Sequence, residues 1–437
     1  MSKLPLTPYK GARDFYPEDK FRQDYMFNIL RQSVKSFGYE EYDAPLIEPI
    51  ELYLAKSGEE IVNEQTYTFT DRGGRKVAIR PEMTPTVSRM VAARRQQLAY
   101  PLRWFSIPNL WRYERPQRGR LREHWQLNVD LFGVEGRSAE LEMIQIINRI
   151  FRGFGANSDH YRFKINHRSF MDYLFTDYLQ LDREQSHKMA KLIDRKAKIS
   201  QTEFAVQVDD ILSSDQKKNG VAEKLLHVLD VRTLDKLPDK LRKNPFFLQL
   251  TGFMDSLTKH GINNADIDLT LMRGFDYYNG IVFESFDTHP DNNRSILGGG
   301  RYDGLVGLFG VDPVPTVGFG MGDAMLANFL DVHGLMPDFV NPTDLYVVVV
   351  GDELDGALRV AMDLREAGLN VATDITFRRL GEQIKTAVKK GIRYVMFIGS
   401  KELTDKHYTL RDLQTSVESR LAFEEIIRLL KKDDHKC

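Results

Sequence analysis

The sequence predicts an α+β chain: a mostly antiparallel sheet flanked by helices, interrupted by a helical insertion and followed by a small C-terminal α/β domain. Three observations predict it. Stretches of strand character, separated by turn residues, are concentrated in residues 1–135 and 260–330. Residues of roughly 175–255 instead carry helical patterns rich in Lys, Asp, Leu and Gln. After Met336, buried-strand runs alternate with amphipathic helices, the pattern of a parallel sheet.

Taken in order, FRQDYMFNILRQSVKSFG (21–38) spaces Phe21, Tyr25, Met26, Ile29, Leu30, Val34 and Phe37 along a helix, with Gly38 as its stop. YEEYDAPLIEPIELY is extended, and Pro45 and Pro49 suit an edge or interface strand better than a central one. LRWFSI (102–107), WQLNVDLF (125–132) and LTLMRG (269–274) have strand character, and Asn279-Gly280 in YYNGIVFESF is a hairpin signal. DILSSDQKKNG is an exposed connection, and MPDFVNPTD (336–344) is a linker. Beyond it DLYVVVV, LNVATD and RYVMFIG are strands, while LDGALRVAMDLREAG, RRLGEQIKTAVKKG and LAFEEIIRLLKK are helices. The expected boundaries are 1–174 and 256–335 for the two parts of the sheet domain, 175–255 for the insertion and 343–437 for the C-terminal domain.

At 437 residues the chain exceeds what one core usually organises. Hydrophobic residues at 42% and charged residues at 28% are an ordinary soluble balance. A net charge of −1 excludes a polycation, so nucleic-acid contact must rest on local basic patches. The single cysteine, Cys437, rules out an internal disulfide framework or a cysteine-based metal site. The first residues, MSKLPLTPYKGARDFYPEDK, lack an apolar signal core, and no uncharged apolar run is long enough to cross a membrane. The expectation is a cytoplasmic chain.

In WQLNVDLF, Gln126, Asn128 and Asp130 share one face of a strand. Alone this is a solvated face. Just upstream, NLWRYERPQRGRLREH carries Arg112, Arg115, Arg118, Arg120 and Arg122 around a loop with Pro116 and Gly119. A returning strand would bring guanidinium groups, which match phosphate oxygens bidentately, over that polar face. AIRPEMTP holds Glu82 and Thr84 between two prolines, a positioned loop or a simple turn. GGGRYDGL and GFGMGD fit neither a P-loop nor a dinucleotide fingerprint. LMRGFDYYNGIVFE (271–284) sets an arginine, an aspartate and two tyrosines among apolar residues, more polar groups than a buried hairpin needs.

These motifs resemble those of the histidyl-tRNA synthetases. LMRGFDYYNGIVFE and LGGGRYDGLVG (297–307) look like the family's two histidine signatures. LWRYERPQRGRLREHWQLNVDLFG is similar to motif 2 of class II synthetases, FGYEEYDAPLIEP resembles motif 1, and AIRPEMT resembles the histidine-pocket loop. TVGFGMGDAML (316–326) occupies the place of motif 3, and the C-terminal α/β unit looks like an anticodon-binding domain. The resemblance implies a class II synthetase-type antiparallel sheet, and a homodimer whose partners are L-histidine, ATP and a histidine-acceptor tRNA, with Mg2+ expected on the ATP. It also implies roles. Arg112 and Arg273 would clamp the α-phosphate and carry catalysis. Glu82, Thr84, Gln126, Asp130, Arg273, Tyr277, Tyr278 and Tyr302 would bind histidine; Arg112, Arg120 and His124 would bind ATP. Arg115 and Gln117 would meet the tRNA acceptor end, and the helix around Arg378, Arg379 and Lys385 would approach the anticodon stem. No metal-ligating motif stands out.

The chain departs from the pattern in three places. Met325 stands where motif 3 has its adenine-stacking arginine, His124 where motif 2 has a phenylalanine, and Asp130 where many relatives have glutamate. Two other readings share the resemblance: a regulatory, non-aminoacylating paralogue serving ATP phosphoribosyltransferase, and a binding-only pseudo-synthetase. Arg273 and the extra C-terminal domain weigh against the first.

Overall fold

Pro17 in the first turn, with Glu18 and Asp19 beside it, starts the first helix, Pro17–Lys35, ahead of the apolar periodicity that begins at Phe21. Its buried stripe of Met26, Phe27, Leu30 and Val34 joins the core, and Gly38 follows at φ 80°. The computed structural model describes residues 4–54, 65–117, 119–230, 236–272, 277–292 and 294–434. The chain divides into two compact units, Met1–Pro337 and Asp338–Cys437.

The strands of the first unit are β1 (Glu40–Glu41), β2 (Ile47–Pro49), β3 (Thr68–Thr70), β4 (Lys76–Ile79), β5 (Leu102–Ser106) and β6 (Asn109–Trp111). They continue with β7 (Glu123–Phe132), β8 (Tyr161–His167), β9 (Ala265–Ile267), β10 (Ile281–Asp287), β11 (Ser295–Arg301) and β12 (Thr316–Gly322). The main sheet runs β1-β5-β7-β12-β11-β10-β8-β9, with β6 also paired to β7, while β2-β4-β3 form a small separate sheet. All main-sheet pairings are antiparallel except β1·β5 and β8·β9.

One face of the main sheet is apolar. Leu127, Val129 and Leu131 of β7 share a buried cluster with Phe319, Phe283 and Phe163, and with Ile144, Ile147 and Ile150 of the helix Ser138–Gly153. The described residues between β8 and β9 are helical apart from their connections. Their Met189, Leu192, Phe204, Leu225 and Phe253 belong to that same cluster. Gly299 lies on this face. A Cβ there would overlap the Gly318 carbonyl and approach Phe319 Cβ to 2.6 Å. Gly299→Ala is therefore expected to cost about 1–3 kcal/mol of unfolding free energy, read by urea denaturation, because backbone cannot move aside as a side chain can.

The structure differs from the expectation at three points. Residues 269–272 of LTLMRG form a turn rather than a strand, because the Asp268 carboxylate accepts the Thr270 N–H at 2.9 Å and Leu271 N–H bonds back to the Asp268 carbonyl. Asn279-Gly280 is not the hairpin turn. It precedes β10, and β10 reaches β11 through residues 288–294. Gly280 serves close approach, since a Cβ there would meet the Arg301 side chain at 3.0 Å.

The second unit holds β13 (Leu345–Val349), β14 (Val371–Thr373), β15 (Tyr394–Ile398), β16 (His407–Asp412) and β17 (Glu418–Ala422) in the order β14-β13-β15-β16-β17. The first three are parallel, as the alternation with helices requires, but β16 and β17 extend the sheet antiparallel. That third difference arises in HYTLRDLQTSVESRLA. Its hairpin turns at Ser416, at φ 61°, and carries too few apolar residues to read as core.

Candidate active site

The other face of the main sheet carries the polar residues. Gly318, Gly320 and Gly322 of β12 stand opposite Asp130, Asn128 and Gln126 of β7, and Gly300 and Gly298 of β11 stand opposite Gly318 and Gly320. Alternation thus puts a row of missing side chains beside a row of polar ones, which hollows the sheet face. A Cβ on Gly318 would sit 2.6 Å from Asp130 Oδ1 and from the Tyr302 hydroxyl; one on Gly320 would overlap the Gln126 amide. Gln126 Nε2 donates to Asn128 Oδ1 at 2.8 Å, so the amides are held in register.

Three tyrosines close one side. Tyr277, Tyr278 and Tyr302 are all buried, with ring centroids 4.9 Å (Tyr277–Tyr278), 5.5 Å (Tyr277–Tyr302) and 6.1 Å (Tyr278–Tyr302) apart. A cavity beside Tyr278 is lined by Asn166, Arg168, Met171, Leu271, Met272 and Val282. The Tyr302 hydroxyl donates to Asp130 Oδ1, while Asp130 Oδ2 is buried with no hydrogen-bond partner among the described residues. Loss of hydration pushes the Asp130 carboxyl up to about 7, against the opposing pull of the Tyr302 hydroxyl. Burial, with Asp130 alongside, raises the Tyr302 phenol. A buried carboxylate oxygen without a donor is a vacancy for a cationic or N–H group.

β6 and β7 pair from Asn109↔Trp125 to Trp111↔Glu123, so residues 112–122 form the connecting loop. Half-buried Arg112 lies at its root, and its Nε donates to the Pro81 carbonyl at 2.9 Å. That contact joins it to the loop carrying Glu82, which is 3% exposed, and Thr84, which opens the helix Thr84–Arg94. The Arg112 side chain makes no other hydrogen bond among the described residues, while its backbone N–H donates to the Arg122 carbonyl. Arg115, Gln117 and Arg120 are exposed; Arg120 lies 3.7 Å from Glu114, and Arg294 donates to Gln117 Oε1 at 3.0 Å. Arg122 turns away, stacking 4.0 Å over the Tyr113 ring. Arg118, and Arg273 with which Arg112 was expected to converge, lie outside the described residues.

His124 follows this loop on the same strand face as Gln126. Loss of hydration, with the guanidinium groups of Arg112 and Arg13 nearby, pushes its imidazole down to about 3, so it is neutral at pH 7. Arg13 and Asp323 were not foreseen. Arg13 ion-pairs at 2.6 Å with Asp323, whose side chain is 2% exposed and also accepts the Trp125 N–H at 3.1 Å. Arg13 lies over the rings of Phe15 (5.0 Å) and Trp125 (5.8 Å). Residues 11–13 are strapped to β7, because the Gly11 carbonyl accepts the N–H groups of Arg122 and Glu123. Nothing in the sequence pairs two charges so far apart. Met325 packs on the β6–β7 loop, where a Cβ at Gly119 would overlap its sulfur. Arg301, within the second glycine-rich motif, is structural: it donates to Glu140 through Nε (2.6 Å) and NH2 (2.9 Å), and both are buried.

Residues 11–324 match the family model described as histidyl-tRNA synthetase, and residues 344–433 match that of the anticodon binding domain. The chain belongs to the histidyl-tRNA synthetase family. Across 433 residues it is 41% identical to the histidine–tRNA ligase of Leptospira biflexa, covering 99% of this chain and 98% of that one. The fold is that of the class II members: the crystal structure of histidyl-tRNA synthetase from Nostoc sp. PCC 7120 superposes with a TM-score of 0.80 at 24% identity, covering 99% and 100% of the two chains. An ATP phosphoribosyltransferase regulatory subunit/histidyl-tRNA synthetase from Bacillus halodurans C shares that fold, with a TM-score of 0.74 at 21% identity over 91% of this chain and 100% of that one. The fold by itself therefore does not separate the ligases of the family from its regulators.

Proposed function

We propose that this chain performs the ligase reaction of its family: it joins L-histidine to the α-phosphate of ATP, releasing pyrophosphate, and then passes the histidyl group to the 3′ end of a histidine-acceptor tRNA. The observation that carries the reading is the buried, unpartnered Asp130 Oδ2 in a hollow edged by three tyrosines. It suits the ammonium of an amino acid whose aromatic side chain enters among the rings. Glu82 and Gln126, with Thr84 beside them, hold the amino and backbone end, and Tyr277, Tyr278 and Tyr302 border the imidazole.

The attacking histidine carboxylate needs no base. What must be stabilised is negative charge on the pentavalent phosphorus, and preorganised donors do this best. Arg112 clamps the α-phosphate, with Arg273 assigned to its other side. Neutral His124 lies against the adenine ring, and Arg120 reaches the outer phosphates. Arg115 and Gln117 meet the tRNA acceptor end. Among the described residues no group of three His, Cys, Asp or Glu side chains converges to hold a metal. Mg2+ would come with the ATP phosphates, where it usually keeps much of its water shell.

Leu46, Ile47, Leu54 and Phe69 are exposed on or beside the small β2-β4-β3 sheet, an apolar patch that a second copy would cover. We read the chain as a homodimer, which solution mass tests. No described helix is long and apolar enough to cross a membrane. A cytoplasmic location fits a chain that charges tRNA.

Pyrophosphate exchange tests the reading. The chain is expected to exchange label between pyrophosphate and ATP only when L-histidine is present, and to charge a histidine-acceptor tRNA. A regulator or a binding-only relative would give neither.

A further inference from the structure

The loop between β14 and the helix Leu380–Lys389 is built around two buried polar side chains. Asp374, 3% exposed, accepts the Thr376 N–H at 3.0 Å, the Tyr346 hydroxyl at 2.9 Å and Arg378 NH2 at 2.8 Å. Gln383, also 3% exposed, donates to the carbonyls of Arg378 (2.8 Å) and Val349 (3.0 Å) and accepts the Val349 N–H (2.9 Å). Braced at both ends, the loop holds Phe377 at φ 55°. Among the described residues the other non-glycine positions with positive φ are Gln180, Lys406 and Ser416, so Phe377 is the one aromatic residue in that region. A bulky side chain there is strained, and strain of this kind persists where surrounding structure enforces it.

Phe377 is also 75% exposed, the most exposed aromatic side chain among the described residues, with Ile375 beside it at 60%. A strained backbone and an exposed ring both oppose stability, and a glycine would remove both. Of the six basic residues from Arg378 to Arg393, Arg378 and Arg393 are ion-paired with Asp374 and Asp412, which leaves Arg379, Lys385, Lys389 and Lys390 against one acidic residue, Glu382. An exposed ring on a braced loop that leads into a basic helix is an arrangement that receives unpaired bases: the base stacks on the ring while the cations meet phosphates. A patch covered by a second copy of the chain would not need that charge.

We propose that Phe377 is a base-stacking residue that receives an unpaired base of the tRNA anticodon, with Arg379 and Lys385 on the adjoining phosphates. This rests on the ligase reading and deepens it. Arg378, expected from the sequence to approach the tRNA, also braces the loop through its ion pair with Asp374.

The test uses the full chain and a tRNA transcript bearing the histidine anticodon. Phe377→Gly relieves the backbone strain, so its melting temperature should equal or exceed that of the parent, and loss of folding cannot mimic the effect. Its tRNA Kd by fluorescence anisotropy, and its KM in charging, should rise about tenfold, with histidine-dependent exchange unchanged. Phe377→Tyr should keep the parent's Kd. An abasic substitution in the anticodon should weaken the parent but add little to Phe377→Gly. The proposal is overturned if Phe377→Gly binds tRNA like the parent, if Phe377→Tyr loses as much as Phe377→Gly, or if Phe377→Gly dissociates an oligomer. Anisotropy reads the contact without catalysis, so it decides the role of the ring whether or not exchange is observed.

Discussion

Replacing Arg112 with alanine is expected to slow histidine-dependent pyrophosphate exchange by about 10²–10³-fold, the usual cost of one preorganised donor to a developing oxyanion. The KM for histidine should stay near the parent value. The one hydrogen bond of the Arg112 side chain among the described residues runs from Nε to the Pro81 carbonyl, which would leave its two terminal nitrogens for a phosphate. A lysine offers a point charge without the planar fork, so Arg112→Lys should recover only part of the rate. Single-turnover formation of the adenylate separates the two effects. A fall in the rate at saturating ATP and histidine supports the assignment, whereas a rise in KM alone would place Arg112 in ground-state binding.

The second large effect belongs to Asp130. Asp130→Asn keeps the shape and the Tyr302 contact but removes the charge. Deleting one side of a buried charged hydrogen bond costs about 2–5 kcal/mol, or roughly 30- to 5,000-fold in affinity for histidine. The carboxyl, pushed up to about 7, also gives a signed pH effect. In the native state it retains a proton that the unfolded chain has already lost above pH ~4. Its contribution to stability is therefore present in acid and lost as pH rises from about 4 to about 7. Urea denaturation at pH 5 and pH 8 should show that slope in the parent and a flatter one in Asp130→Asn. Binding runs the other way. Histidine's ammonium needs the carboxylate, so affinity falls as pH drops below about 7. The substrate imidazole titrates near 6.5, and subtracting the Asp130→Asn profile removes its share.

Much of this site was legible because strand alternation is a strict code. Gln126, Asn128 and Asp130 had to share a face once β7 was recognised, and the glycines of TVGFGMG had to stand beside them once β12 paired there. The tyrosines were legible as excess polarity in an apolar stretch. The positions that escaped are those fixed by tertiary contact. Arg13 and Asp323 meet through a strap that only the folded β7 holds in place. Asn279-Gly280 carried a strong local turn signal, but crowding by Arg301 gave that glycine a different task. Arg378 is held by Asp374 only four residues before it, a local pair that the sequence reading did not name. Short-range pattern names the residues that face one another, and long-range packing decides which of those charges are already spoken for.

In the proposed reaction histidine binds in the hollow around Asp130. Calorimetric titration of L-histidine into the parent and into folded Asp130→Asn at pH 8 addresses that most directly. The prediction is one site per chain in the parent, and affinity weakened by roughly 30-fold or more in the variant. Equal affinity in the two proteins would contradict it and move the amino-acid site elsewhere on the sheet.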